Sequence, residues 1–137
     1  MNFEVKVLET DGELLQLISL VIDYSNKTDA SLYQSLYEIS QGFKNPTFIT
    51  MIAKKDGLLT GYVSGMFLTP SEFLATQAFS KDRTTNINFF TLIQKKLNGL
   101  GCKKIFGHTQ LDPSVFEKYG FKFDRYLLIK EIEKEEE

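Results

Sequence analysis

Three strand-like runs in succession, residues 48–55, 58–68 and 72–80, constrain this chain more than any other feature. The first two flank Asp56-Gly57, a pair that tolerates positive φ at both positions and is the strongest short signal for a tight hairpin. Thr69-Pro70-Ser71 then turns the chain into the third run. Gly61 and Gly65 fall inside the second run, where glycine marks a bulge or a close backbone approach.

Helical patterns lie on either side. Residues 3–9 alternate like a strand. Thr10-Asp11-Gly12-Glu13 has the form of a capping box, and Leu14, Leu15, Leu17, Ile18, Val21 and Ile22 follow on one helical face. Asn26-Lys27-Thr28-Asp29 breaks that helix. Asp29 is expected to cap a second one, with Leu32, Tyr33, Leu36 and Tyr37 inward and Gly42 and Pro46 at its end. Beyond the three strands, residues 89–100 place Phe89, Leu92, Ile93, Leu97 and Leu100 on one face, and Gly99 and Gly101 supply the stop. Residues 105–109 read as a short strand. Asp112-Pro113 opens a short helix that ends at Gly120. Residues 121–132 read as a long last strand, and 133–137 as a frayed acidic tail. The unit from 72 to 109 is a right-handed crossover between parallel neighbours. The expected fold is therefore α/β (α+β), a single domain over 1–132. Its sheet is mixed and mostly antiparallel, of about six strands, with four helices on its two faces.

Composition narrows the function classes. With 137 residues, 42% of them hydrophobic and 25% charged, the chain has the make-up of an ordinary globular domain. A net charge of −2 gives no electrostatic footprint for nucleic acid. One cysteine, Cys102, leaves no intramolecular disulfide and fits a reducing, cytoplasmic setting. One histidine with one cysteine argues against a transition-metal site. No stretch reads as a signal peptide or membrane span.

The junction Arg83-Thr84-Thr85-Asn86-Ile87-Asn88 follows a strand and opens a helix. Such a junction presents free N–H groups and the positive end of a helix dipole to a phosphate. Its spacing resembles the acyl-CoA loop of the GNAT family of N-acetyltransferases, Arg/Gln-x-x-Gly-x-Gly/Ala, with Arg83 in place and Asn86 and Asn88 where the family has glycines. Asp56-Gly57 followed by Gly61-Tyr62-Val63 resembles that family's second and third strands. Phe116-Glu117-Lys118-Tyr119-Gly120-Phe121 resembles its closing Tyr-Glu-Lys-x-Gly-Phe.

The resemblance implies that acetyl-CoA lies where two central strands splay. Its pyrophosphate would rest on Thr84, Thr85, Asn86, Ile87 and Asn88 beside Arg83. Its pantetheine arm would pair with the backbone of Gln77, Ala78 and Phe79. The family's leaving-group acid falls on Phe116, which has no proton to give, and Tyr119 stands three residues on. Glu72 and His108 are the candidate bases for an amine acceptor, a small molecule or a protein. Plainer readings stand beside these: Glu72 as a solvated strand-end charge, His108 as a hydrogen-bonded surface residue, Tyr119 as a rim aromatic, Cys102 as a small buried residue, and the loop as a helix start rich in cap-type residues. Two functions follow. One is an acetyl-CoA-dependent N-acetyltransferase using no metal. The other is an inactive GNAT-fold binding or structural protein, favoured by the two asparagines and Phe116. The chain's ending is also similar to small phage-encoded GNAT-like proteins. A homodimer through the late strands is permitted, and neither nucleic acid nor membrane is expected as a partner.

Overall fold

The computed structural model describes residues 3–28, 30–42, 44–81, 86–107, 117, 120–122, 128 and 130–132. Within them, five strands form one sheet in the order β1-β2-β3-β4-β5. The strands are β1 (Phe3–Val7), β2 (Phe48–Lys55), β3 (Leu58–Thr69), β4 (Glu72–Ser80) and β5 (Lys104–Gly107), and the helices are α1 (Asp11–Lys27), α2 (Leu32–Gln41) and α3 (Asn86–Gly99). The first three pairings are antiparallel, and β4–β5 is parallel. The sheet is thus mixed and mostly antiparallel, as expected. The helix at Asp112-Pro113 and the strand over 121–132 fall mostly outside the described residues.

In β2, Met51-Ile52-Ala53 is apolar at every position. Its Met51 and Ala53 join Val5, Val63 and Phe73 under Ile93 and Leu97 of α3. Ile52, between them, points the other way and packs with Tyr62 under Leu17, Leu20 and Val21 of α1 and Ile39 of α2. A strand buried on both faces has no polar face to alternate with. The β2–β3 hairpin turns through Asp56 (φ 52°) and Gly57 (φ 83°), the paired positive φ that the dipeptide promised.

The helices correct four expectations. Thr10 and Glu13 form the full capping box. However, α1 buries Glu13, Leu17, Leu20 and Val21 and leaves Leu15 and Ile22 exposed. The apolar stripe read from the sequence was wider than the face a helix can lay on a sheet. In α2 the cap is Ser31, which accepts from the Gln34 N–H, rather than Asp29. Its inner residues are Ser35 and Ile39, with Leu36 half-buried, while Leu32, Tyr33 and Tyr37 are exposed. Small Ser35 lets the helix backbone approach the sheet, which a tyrosine on that line would prevent. In α3, Ile93 and Leu97 are buried, but Leu100, past the last helical residue, is exposed. The stop is a Schellman turn: the Cys102 N–H donates to the Leu97 carbonyl at 2.9 Å across Gly101, whose φ is 93°. Cys102 itself is small and buried, as read.

Candidate active site

β4 carries the feature that organises the rest. Its ladder to β3 runs to Ser80, but Ser64 pairs with Gln77 and Gly65 with Ala75, so Thr76 is an extra residue, a β-bulge. The bulge changes parity. Phe73 and Ala75 face α3, yet Phe79 packs among the residues under α1 and α2. In an unbroken strand, residues 73, 75, 77 and 79 would share one face. Gly65 stands opposite the bulge because nothing larger fits: a Cβ there would collide with the Leu74 carbonyl oxygen and the Phe73 ring. At Gly61, a Cβ would come within 2.8 Å of the Phe79 carbonyl oxygen.

The described pairing of β4 with β5 covers Glu72↔Lys104 to Ala75↔Gly107, where the described part of β5 ends. From Gln77 to Ser80, β4 pairs with β3. The Lys81 N–H closes this end onto the Thr60 carbonyl at 2.9 Å.

A polar network locks the bulge on the α1/α2 face. Gln77, only 4% exposed, uses its whole side-chain amide. Its Oε1 accepts from the Tyr62 hydroxyl at 2.8 Å, and its Nε2 donates to the Ser35 carbonyl and to Glu38 Oε2, each at 3.1 Å. Thr76 Oγ1 lies 3.0 Å from Glu38 Oε2 and 3.2 Å from the Ser64 carbonyl oxygen, and shares its one proton between them. Burial pushes the Tyr62 hydroxyl well above its ordinary range, reinforced by Tyr24 and the Glu38 charge. Tyr24 is raised as well, by burial first and then by Glu38. Both phenols therefore stay protonated, and the Tyr62 hydroxyl serves as a donor. Beyond the end of β4, α3 begins at Asn86, so its first N–H groups have no partner within the helix.

No family model matches the sequence, and no curated protein matches it either. Solved structures do match, over almost the whole chain. A structure of the aminoglycoside acetyltransferase AAC(6')-Iy with the bisubstrate analogue CoA-S-monomethyl-acetylneamine superimposes with a TM-score of 0.75, at 11% identity, covering 98% of this chain and 100% of that one. The ribosomal-protein-alanine N-acetyltransferase of Brucella melitensis biovar Abortus 2308 gives a TM-score of 0.70 at 11% identity, covering 96% and 100%. A predicted acetyltransferase of Clostridium acetobutylicum, solved with acetyl-CoA, gives 0.67 at 13%, covering 94% and 96%. This chain has the GNAT fold.

The GNAT fold fixes how the expected site residues relate to one another. Gln77, Ala78 and Phe79 lie together on the part of β4 beyond the bulge. Ala78 is exposed, and Phe79 is wedged against Tyr24 with the Lys27 ammonium 5.4 Å from its ring centre. Asn86, Ile87 and Asn88 form the first turn of α3. The asparagines therefore have ordinary helical backbone, and a need for positive φ does not arise at either position. Glu72 lies at the opposite end of β4, about 15 Å along the strand from Gln77. It accepts from Thr69 Oγ1 at 3.1 Å in the β3–β4 turn. The structure does not bring it to the other β4 residues. Arg83, Thr84, Thr85, His108 and Tyr119 lie outside the described residues.

Sequence reasoning missed Thr76, Glu38 and Tyr62. Their contacts join residues as far as 39 positions apart, and Glu38 reads in isolation as a solvated helix charge. The available signal was the polar pair Thr76-Gln77 set between Phe73-Leu74-Ala75 and Ala78-Phe79. Among the described residues, no helix is long and apolar enough to cross a membrane.

Proposed function

We propose that this chain is an acyl-CoA-dependent N-acyltransferase that transfers an acetyl group to an amine. One observation carries the reading. β4 carries a bulge at Thr76 that α2 locks through Gln77 and Glu38, and the segment beyond it leads to the start of α3. A bulge interrupts strand pairing, and the pantetheine amides of CoA supply donors and acceptors that match the backbone along Gln77, Ala78 and Phe79. The free N–H groups of Asn86, Ile87 and Asn88, with Arg83, Thr84 and Thr85 ahead of them, suit the pyrophosphate. That the matched structures include complexes with CoA, acetyl-CoA and a CoA conjugate of an amine supports the same reading.

The chemistry is direct attack. The amine nitrogen adds to the thioester carbonyl, and a β4 backbone N–H stabilises the oxyanion. Collapse breaks the C–S bond. A thiol pKa of about 8.5 makes thiolate a tolerable leaving group near neutral pH, so the absence of a hydroxyl at Phe116 does not bar the reaction. The ammonium must first shed a proton. His108 follows Gly107 directly in the chain, and Gly107 pairs with Ala75 at the bulge. That place favours His108 over Glu72 as the base. Tyr119 is left as the candidate acid.

Thermal unfolding with and without millimolar acetyl-CoA tests the reading. Ligand at ~100 times its Kd adds about 2.7 kcal/mol, which at this size raises the midpoint by several degrees. Arg83→Glu is expected to remove that rise while leaving the unliganded midpoint within a degree or two. A well-folded parent with no rise would defeat the proposal and favour a GNAT-fold binding module.

A further inference from the structure

The Glu38 carboxylate divides its two oxygens between two tasks. Oε2 is fully engaged at the bulge by Thr76 and Gln77. Oε1 has one exposed contact, from Gln34 Nε2 at 3.4 Å, which leaves most of its acceptor capacity unused. The side chain is half-buried, and no lysine or arginine among the described residues forms an ion pair with it. If Glu38 served only to hold α2 on β4, a glutamine would accept the same two hydrogen bonds without the cost of burying a charge. A fixed, half-buried anion with spare acceptor capacity and no cation paired to it among the described residues is chemically matched to an ammonium.

Its surroundings fit such a guest. The carboxylate is tied to Thr76 and Gln77 at the bulge of β4, so a cation on Oε1 lies beside the strand assigned to the acyl-CoA. On the same helix, Gln34 stands one turn before Glu38 and supplies the single contact on Oε1.

We propose that Glu38 is the docking point for the charged amino group of the acceptor, which makes this protein selective for cationic amines over neutral ones. The proposal rests on the acyl-CoA reading above. It assigns Glu38 to binding and positioning and leaves proton removal to another group.

The test uses the full chain and three probes: CoA, a CoA S-alkyl conjugate ending in a primary ammonium, and the same conjugate ending in a hydroxyl. Dissociation constants are measured by calorimetry for the parent and for Glu38→Gln, which keeps the hydrogen bonds at the bulge. The parent is expected to bind the ammonium conjugate about tenfold tighter than the hydroxyl conjugate, and added salt should shrink that ratio. In Glu38→Gln the ratio should fall to near one with CoA affinity unchanged. If CoA binds but the parent shows no ammonium preference, or the variant keeps it, the assignment of Glu38 is wrong and the CoA site stands. If none of the probes binds the parent, the CoA reading fails and takes this inference with it. The parent's own ratio and its salt dependence decide the matter even if the variant does not fold.

Discussion

Glu13 lies at the first turn of α1 with its carboxylate 2.8 Å from the Lys6 ammonium and 3.6 Å from that of Lys54. It also accepts the Glu9 and Thr10 N–H groups. The bond from Lys6 outweighs burial and, with those backbone donors, brings its pKa from 4.5 to about 2. A group with a depressed folded pKa stabilises the fold above its unfolded value and loses that contribution as pH falls through the folded one. The window is therefore about pH 4.5 down to about pH 2. Because both lysines face solvent, we expect about 1–2 kcal/mol rather than the full shift. Urea midpoints taken across that window should fall with pH in the parent and fall less steeply in Glu13→Gln. Equal slopes would mean that the carboxylate is not held as described. This capping box could be read from Thr10 and Glu13 alone, because a cap is local. The two lysines could not, since Lys54 reaches Glu13 only once β2 is in place.

At the scale of elements, the irregularity of β4 is a single residue. Deleting Thr76 would restore strict alternation while Gln77 stays opposite Ser64 and Phe79 stays on the α1/α2 face, so the Tyr62 hydroxyl and the Ser35 carbonyl keep their partner and Glu38 loses one donor. We expect the deletion variant to keep cooperative unfolding, and Thr76→Ala, which loses only a shared hydroxyl bond, to cost about 1 kcal/mol. A deletion variant that unfolds without cooperativity would sink the assignment of Thr76 as the extra residue. The bulge was half legible in advance. Gly65 announced a close approach or a bulge on β3, but which residue of β4 would be the extra one depends on the partner strand. The face of α2 was misread for a related reason. Tyr33 and Tyr37 are apolar enough to look inward, and only the contact between Ser35 and Gln77 shows that the helix is turned the other way.

For the molecule as a whole, strand order, hairpin and the parallel β4–β5 join were legible because each rests on turn chemistry or on connection length. The polar network was not, because its members come from β3, β4 and α2. The connections within the described sheet are uneven. β2, β3 and β4 are joined by short turns and can zip together locally, whereas β1 joins β2 across α1 and α2 and β5 joins β4 across α3. In native-state amide exchange, Ile105 and Phe106 should open at a lower free energy than Met51 and Ile52. Equal values would mean that the sheet opens as one unit. If they differ, β5 can part from the sheet without unfolding the rest, and the strand that carries the bulge has one wall that opens on its own.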